Sequence, residues 1–169
     1  MTDSYLAPAD LAAARARAHL AAAARCGAAG ADPAEPGVVV ELSAAPFDRQ
    51  RERVTERTVV LMADAVLWRW TADDRAQLAA VLAEPVVGEV PVRSLVFVEP
   101  TAGLGWRRLA QRLGRPLWRR RLGHDFECDV PAALRAAGLV VTTQDRFDLG
   151  PTGIRSHVWG EARRYRHHP

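Results

Sequence analysis

The chain has 169 residues, 49% of them hydrophobic and 25% charged, which is enough for one buried core and excludes a disordered polar chain. The formal net charge is only +3 although all 23 basic residues are arginine, so charge does not favour nucleic acid as a partner. Two distant cysteines and the absence of a long apolar run predict a cytoplasmic protein without a disulfide framework or a transmembrane span.

The N-terminal quarter predicts a helix, a loop and a strand. Pro8 to Arg25 is rich in alanine, leucine and arginine and predicts a helix that Gly27 ends. The glycine- and proline-rich stretch after it predicts a loop up to Gly37. Val38 to Leu42 is β-branched and predicts a short strand, and Pro46 to Arg57 predicts a loop with a helical turn or two.

The middle of the chain alternates strands with a helix. Val59 to Ala63 predicts a buried strand that runs on into Val66 to Trp70. Thr71 and Asp74 have the spacing of a capping box, which predicts the start of a helix. Leu95 to Val98 is a continuous apolar run, typical of a parallel sheet covered on both faces. These elements predict a layered α/β domain.

The C-terminal part begins with an amphipathic segment from Gly105 to Leu122, in which Pro116 is expected to kink or divide a helix. Val130 to Ala137 predicts a helix that a glycine ends. Leu139 to Phe147 and Arg155 to Ala162 predict strands whose connection is too short for a crossover helix, so they should be antiparallel. We therefore divide one domain, 1–169, into a helix and loop (1–37), a parallel α/β core (38–100), an Arg/Trp-rich cap (101–129) and a C-terminal helix and hairpin (130–169).

Several segments resemble, in order, parts of class I S-adenosylmethionine-dependent methyltransferases of the small-molecule type. They are LAPADLAAARARA (6–18), like the helix after the second strand; ELSAAPFD (41–48), like the third strand and its loop; TVVLMADAVLWRW (58–70), like the fourth strand; LVFVEP (95–100), like the fifth; and CDVPAALRAAGL (128–139), like the helix before the sixth. The resemblance implies a Rossmann-like sheet that ends in an antiparallel strand pair, S-adenosylmethionine as cofactor and a small-molecule acceptor.

The chain differs from this family at its start. The glycine-rich G-x-G-x-G turn of the family would precede Leu6, and the sequence contains no such motif, so we expect an N-terminally truncated form of the sheet. Without the family's first strand, the fourth would have a bare edge, which favours pairing. Either the strand at 38–42 pairs with it, or a second copy or a partner chain covers it, or the natural protein begins upstream and supplies the strand.

The resemblance also implies site residues. Glu41 would face the adenine amino group, Asp3 would replace the acid that binds the ribose, and Asp64 would face the reactive methyl group. Apart from the resemblance, His124 is a candidate general base, because histidine side chains ordinarily titrate near physiological pH. Four residues are assigned to the acceptor side: Trp68, Glu99, Trp106 and Trp118.

Three functions remain open at this stage. The first is a methyltransferase acting on an unidentified small molecule, and the second is an inactive methyltransferase-like subunit that docks through its sheet edge. The third is an anion- or RNA-binding domain that uses the seven arginines from Arg107 to Arg121. The same segment is also compatible with a membrane-surface helix anchored by its tryptophans, or with a solvated face. His157 and Cys128 are expected to pack, and no residue spacing indicates a metal site.

Overall fold

The computed structural model describes residues 9–29, 38–84, 93–122, 128–149 and 155–164. Within them, one mixed sheet lies between helices on its two faces. The strands are β1 (Val38–Leu42), β2 (Thr58–Asp64), β3 (Ser94–Pro100), β4 (Val140–Leu149) and β5 (Arg155–Arg163). The helices are α1 (Ala9–Ala29), α2 (Ala72–Leu82), α3 (Trp106–Leu122) and α4 (Val130–Ala136), with short 3-10 helices at Phe47–Arg53 and Leu67–Arg69.

The strand order is β1-β2-β3-β5-β4, and the first three strands are parallel. Strand β5 runs antiparallel to β3 and to β4, which confirms the predicted antiparallel pair and the α/β class. Of the alternatives for the edge of the strand at 58–64, pairing with the strand at 38–42 is the one observed. Strand β1 is therefore the outer strand of the described sheet, and its Val38 and Val39 are exposed.

The central strands are buried on both faces, as their unbroken apolar sequences predict. Every residue of β3 is buried, and so is every residue of β2 except Asp64. One face packs on α2, α4 and the first 3-10 helix through the main core, which includes Phe47, Leu61, Leu78, Phe97 and Leu134. The other face packs on α1 through Ala14, Ala18, Ala22 and Cys26. Small residues four apart allow this helix to approach the sheet closely.

Local signals fix two helix ends as predicted. The Thr71 hydroxyl accepts a hydrogen bond from the Asp74 backbone N–H, and the Asp74 carboxylate accepts one from the Thr71 N–H, which completes a capping box for α2. Asp74 Oδ1 also accepts from the N–H of Phe47 at 2.9 Å, so the cap joins α2 to the segment after β1. Gly138 has φ +84°, which is the left-handed conformation expected after α4.

One predicted helix end is wrong, and the division that is one of the two alternatives expected at Pro116 does not occur. Helix α1 continues through Gly27 to Ala29. Its last turns are held to the sheet by the buried Cys26 and by an ion pair of 2.8 Å between Arg25 and Glu161, and this packing outweighs the stop signal of one glycine. Pro116 lies inside α3 without dividing it. In the part of the chain that the structure describes, no helix is long and apolar enough to cross a bilayer.

Candidate functional site

The carboxyl ends of the three parallel strands lie side by side at one edge of the sheet. In open α/β sheets, ligands bind in the crevice outside such ends. Glu41 and Glu99 are each the second-last residue of their strand, and Asp64 is the last residue of the strand between them. The structure therefore brings these three predicted site residues to one edge, here called the carboxyl edge.

Glu99 is a fully buried acid that holds the segment after β2. Its Oε1 accepts hydrogen bonds from the N–H groups of Val66 at 2.9 Å and Leu67 at 3.0 Å. Burial raises the pKa of Glu99 to about 8 and the nearby Asp64 acts in the same direction, although backbone hydrogen bonds from residues 66–68 oppose both. The Glu99 carboxyl is thus largely neutral at pH 7, and it joins two strand ends instead of facing open space.

The segment after β2 turns sharply, and the prediction that Val66 to Trp70 continues the strand is wrong. Ala65 has φ +54°, a left-handed conformation that costs a non-glycine residue about 1–2 kcal/mol, and a short 3-10 helix follows it. The contacts that hold the turn include the bonds to Glu99 and the Ala65 N–H donating to the Val98 carbonyl at 2.8 Å. Strained turns of this kind are concentrated at functional sites.

Asp64 is partly exposed and forms an ion pair with α1. Arg15 Nη2 donates to Asp64 Oδ1 at 3.1 Å, and Arg15 Nε lies 2.7 Å from Asp64 Oδ2. Both side chains are 41% exposed, so water competes for this pair. Asp64 is therefore accessible at the carboxyl edge, with an arginine that neutralises much of its charge.

Glu41 is exposed and lies on the same face of the sheet as Asp64. Its neighbours Val40 and Leu42 point into the main core on the opposite face, and alternation along a strand places Glu41 on the α1 side. Glu41 pairs in register with Met62, and Asp64 follows two residues later on that face. The carboxylate of Glu41 is open to accept a hydrogen bond from a ligand. Asp3 lies outside the described residues.

Two of the remaining predicted residues, Trp68 and Trp106, have side chains that the structure describes. Trp68 is half-buried against the main core, its Nε1 donates to the Ala65 carbonyl at 3.0 Å, and the Arg69 guanidinium lies 4.8 Å from its ring. Trp106 is exposed at the start of α3. The side chain of Trp118 and the whole of His124 lie outside the described residues.

The loop after β1 is held by residues that sequence reasoning missed. Gln50 is buried; its Oε1 accepts from the Ser43 N–H at 2.6 Å, and its Nε2 donates to the carbonyls of Ser43 and Ala45. Trp70 Nε1 donates to the same Ala45 carbonyl at 3.1 Å. A glutamine beside a predicted helical turn is the only signal that the sequence offers for this clamp. The hydrogen bonds of Gln50 and Trp70 hold the loop that follows Glu41 in place.

Two small clefts are lined by residues that the structure describes. One, of about 130 Å³, is beside the end of β3 and contains Arg107 and Asp148, which form an ion pair, and Arg146, which pairs with Asp129 at 3.1 Å. The other, of about 200 Å³, lies between α1 and the β4–β5 pair. Both are smaller than the roughly 300–1,000 Å³ that small-molecule pockets usually have. The described site is therefore an acidic edge with shallow clefts.

His157 and Cys128 are in packed positions, as predicted. The buried His157 stacks on Phe147 with ring centres 5.7 Å apart, and its Nδ1 lies 3.1 Å from the Arg155 carbonyl oxygen. Cys128 is half-buried against the main core, and its carbonyl accepts a hydrogen bond from the Ala102 N–H. Among the described residues, no group of three or more His, Cys, Asp or Glu side chains is placed to hold a metal ion.

The fold and the carboxyl edge together define an α/β protein with an acidic face beside its parallel strand ends. No protein-family model matches this chain, and no curated protein matches it.

Proposed function

We propose that this chain is an S-adenosylmethionine-dependent methyltransferase-like protein that acts on a small molecule and binds its ligand at the carboxyl edge. The observation that carries the proposal is the position of Glu41 and Asp64 on one face, at the ends of adjacent parallel strands. The family resemblance supports it, because it assigns Glu41 to the adenine amino group and Asp64 to the side of the reactive methyl group. The parallel strands beside an antiparallel pair agree with that resemblance.

The described residues fit part of this cofactor. The exposed Glu41 carboxylate accepts hydrogen bonds, which suits an amino group, and the partly exposed Asp64 lies on the same face, paired with Arg15. The sequence contains no G-x-G-x-G turn, so a glycine-rich cradle of backbone N–H groups is not part of this fit. We therefore assign the amino-group contact to Glu41 and leave the remaining cofactor contacts unassigned.

When bound, S-adenosylmethionine would supply a methyl group on a sulfonium for transfer to a nucleophilic atom of the acceptor. Such transfers depend mainly on holding the two reacting atoms in line at short distance. The residues of the chain that serve this need are those that fix the edge: Gln50 holds the loop after β1, and Glu99 holds the turn after β2. Both side chains are buried and hold their segments through hydrogen bonds to the backbone.

Titration calorimetry with S-adenosylhomocysteine tests the proposal. We expect a micromolar dissociation constant for the wild-type chain. Glu41→Gln should weaken binding roughly fivefold to tenfold, because a hydrogen bond to a charged acceptor is stronger than one to a neutral amide. Glu56→Gln, which changes an exposed glutamate before β2, should bind as the wild type does. Absence of binding at millimolar ligand would contradict the proposal.

A second candidate function is a subunit that docks through the edge of β1, and the exposure of this strand favours it. Val38 and Val39 are 39% and 38% exposed on the outer strand of the described sheet. An apolar edge strand offers unpaired backbone groups to another chain. The simplest partner is a second copy, with its own β1 continuing the sheet.

Light scattering on the purified chain tests this second candidate. Docking through β1 predicts a dimer that Val39→Lys converts to a monomer, since a lysine on an edge strand opposes further pairing. Val140→Lys makes the same change at a 40% exposed valine on β4, at the other side of the sheet, and should leave the dimer intact. A wild-type monomer, or equal effects of both substitutions, would exclude docking of two copies through β1.

A further inference from the structure

Helix α3 presents an apolar stripe to solvent. Trp106, Leu109, Leu113 and Leu117 recur at intervals of three and four residues, which places them within roughly a quarter of the helix circumference. Their exposed fractions are 63%, 59%, 76% and 46%. Leu104, just before the helix, is 71% exposed and extends the apolar surface.

The opposite side of α3 is fixed to the domain, so the stripe cannot simply turn inward. Gln111 is buried and its Oε1 accepts from the Gly103 N–H at 2.7 Å. Arg107 forms an ion pair with Asp148 of β4. These contacts lie on the side of the helix away from the leucines. The usual arrangement of a surface helix, with leucines inward and charges outward, is therefore not the one that this helix adopts.

The charge of α3 indicates what covers the stripe. Its 17 residues include seven arginines and no acidic residue. A nucleic acid would suit the positive charge of the helix but leave the leucines exposed, whereas a second α3 would cover the leucines but bring two helices without an acidic residue together. An anionic lipid surface fits both the apolar stripe and the positive charge of the helix, because leucine and tryptophan enter the acyl boundary while arginines contact phosphates.

We propose that α3 is an in-plane membrane-binding helix whose ligand is an anionic phospholipid surface. The helix is about 25 Å long at 1.5 Å per residue. It would lie parallel to the membrane, with the apolar stripe facing the lipid. The side that carries Gln111 and Arg107 stays against the domain. This inference does not depend on methyl transfer and goes beyond the proposed function.

Vesicle co-sedimentation tests the proposal with the whole chain. We expect at least about tenfold stronger binding to phosphatidylcholine vesicles that contain one-third phosphatidylserine than to phosphatidylcholine alone, with the difference falling as salt rises. Leu113→Gln should weaken binding to anionic vesicles about tenfold, because one leucine no longer enters the lipid. Leu20→Gln changes a leucine of α1 that is 70% exposed and should bind as the wild type does.

Three outcomes would overturn the proposal. The first is no binding to anionic vesicles, or equal binding to both vesicle types. The second is binding that Leu113→Gln and Leu20→Gln weaken equally. The third is a lipid-free oligomer, measured by light scattering, that Leu113→Gln alone dissociates, since a second copy would then be the occupant of the stripe.

Discussion

Arg93→Met is expected to lower the free energy of unfolding by about 3–5 kcal/mol, because it removes three hydrogen bonds and an ion pair made by a buried guanidinium. Arg93 is 2% exposed, immediately before β3. Its guanidinium donates to the carbonyls of Thr58 at 3.0 Å, Val81 at 2.8 Å and Thr55 at 2.7 Å, and it pairs with Glu84 at 3.0 Å. One side chain thereby joins the start of β2 to the end of α2.

Urea denaturation followed by circular dichroism measures this change in stability. Arg164→Met is the matched control, since Arg164 is exposed and makes one hydrogen bond of 3.3 Å to the Ala79 carbonyl. We expect that control to cost less than about 1 kcal/mol, as is usual for surface substitutions. If the two variants unfold at the same urea concentration, with the same dependence of the unfolding free energy on urea, the buried guanidinium does not hold these elements together.

The second large effect is a dependence of stability on pH that originates at Glu99. Burial raises the pKa of this carboxyl from its ordinary 4.5 to about 8 in the folded chain, so the folded state binds the proton more tightly than the unfolded state. The stabilisation is fully present below the unfolded pKa and is lost as pH rises through the folded one. Since a difference of one pKa unit corresponds to about 1.4 kcal/mol, the free energy of unfolding falls by on the order of a few kcal/mol.

Glu99→Gln removes the titrating group while keeping a carbonyl oxygen to accept from the Val66 and Leu67 N–H groups. Measured by urea denaturation between about pH 5 and about pH 9, the wild type should lose stability relative to this variant. Glu56→Gln, at an exposed site, should follow the wild-type profile. If the free energies of unfolding of Glu99→Gln and of the wild type change equally with pH across this range, the buried carboxyl is not the source of the pH dependence.

Much of the fold follows from local signals in the sequence. The β-branched run at 38–42, the capping box at Thr71 and Asp74, and the short connection before Arg155 each predict an element that the structure contains. These signals are reliable because they depend on residues close together in the chain. The positions of Glu41, Asp64 and Glu99 at one edge follow from the same reasoning, since parallel strands end together.

The details that depend on distant contacts were not predictable. The turn at Ala65 is held by Glu99, which accepts hydrogen bonds from the Val66 and Leu67 N–H groups although it lies more than 30 residues later in the chain. The sequence at 66–70 carries no sign of this contact and therefore predicts a strand. Arg93 and Gln50 form hydrogen bonds with backbone groups. Every residue carries such groups, so these bonds cannot be recognised from a residue pattern in the sequence. Periodicity showed that α3 is amphipathic, but only tertiary contacts show that its leucines face outward.

The most direct test of the central claim is an amide NMR titration of the chain with S-adenosylhomocysteine, which reports where the ligand binds. If the carboxyl edge is the ligand site, the largest shift changes will occur at Glu41 to Ser43 and at Asp64 to Trp68. The amides of β4, at the far side of the sheet, will remain unchanged. Changes confined to α3 or to β4, or no change at millimolar ligand, would contradict the assignment of this edge as a methyltransferase-like cofactor site.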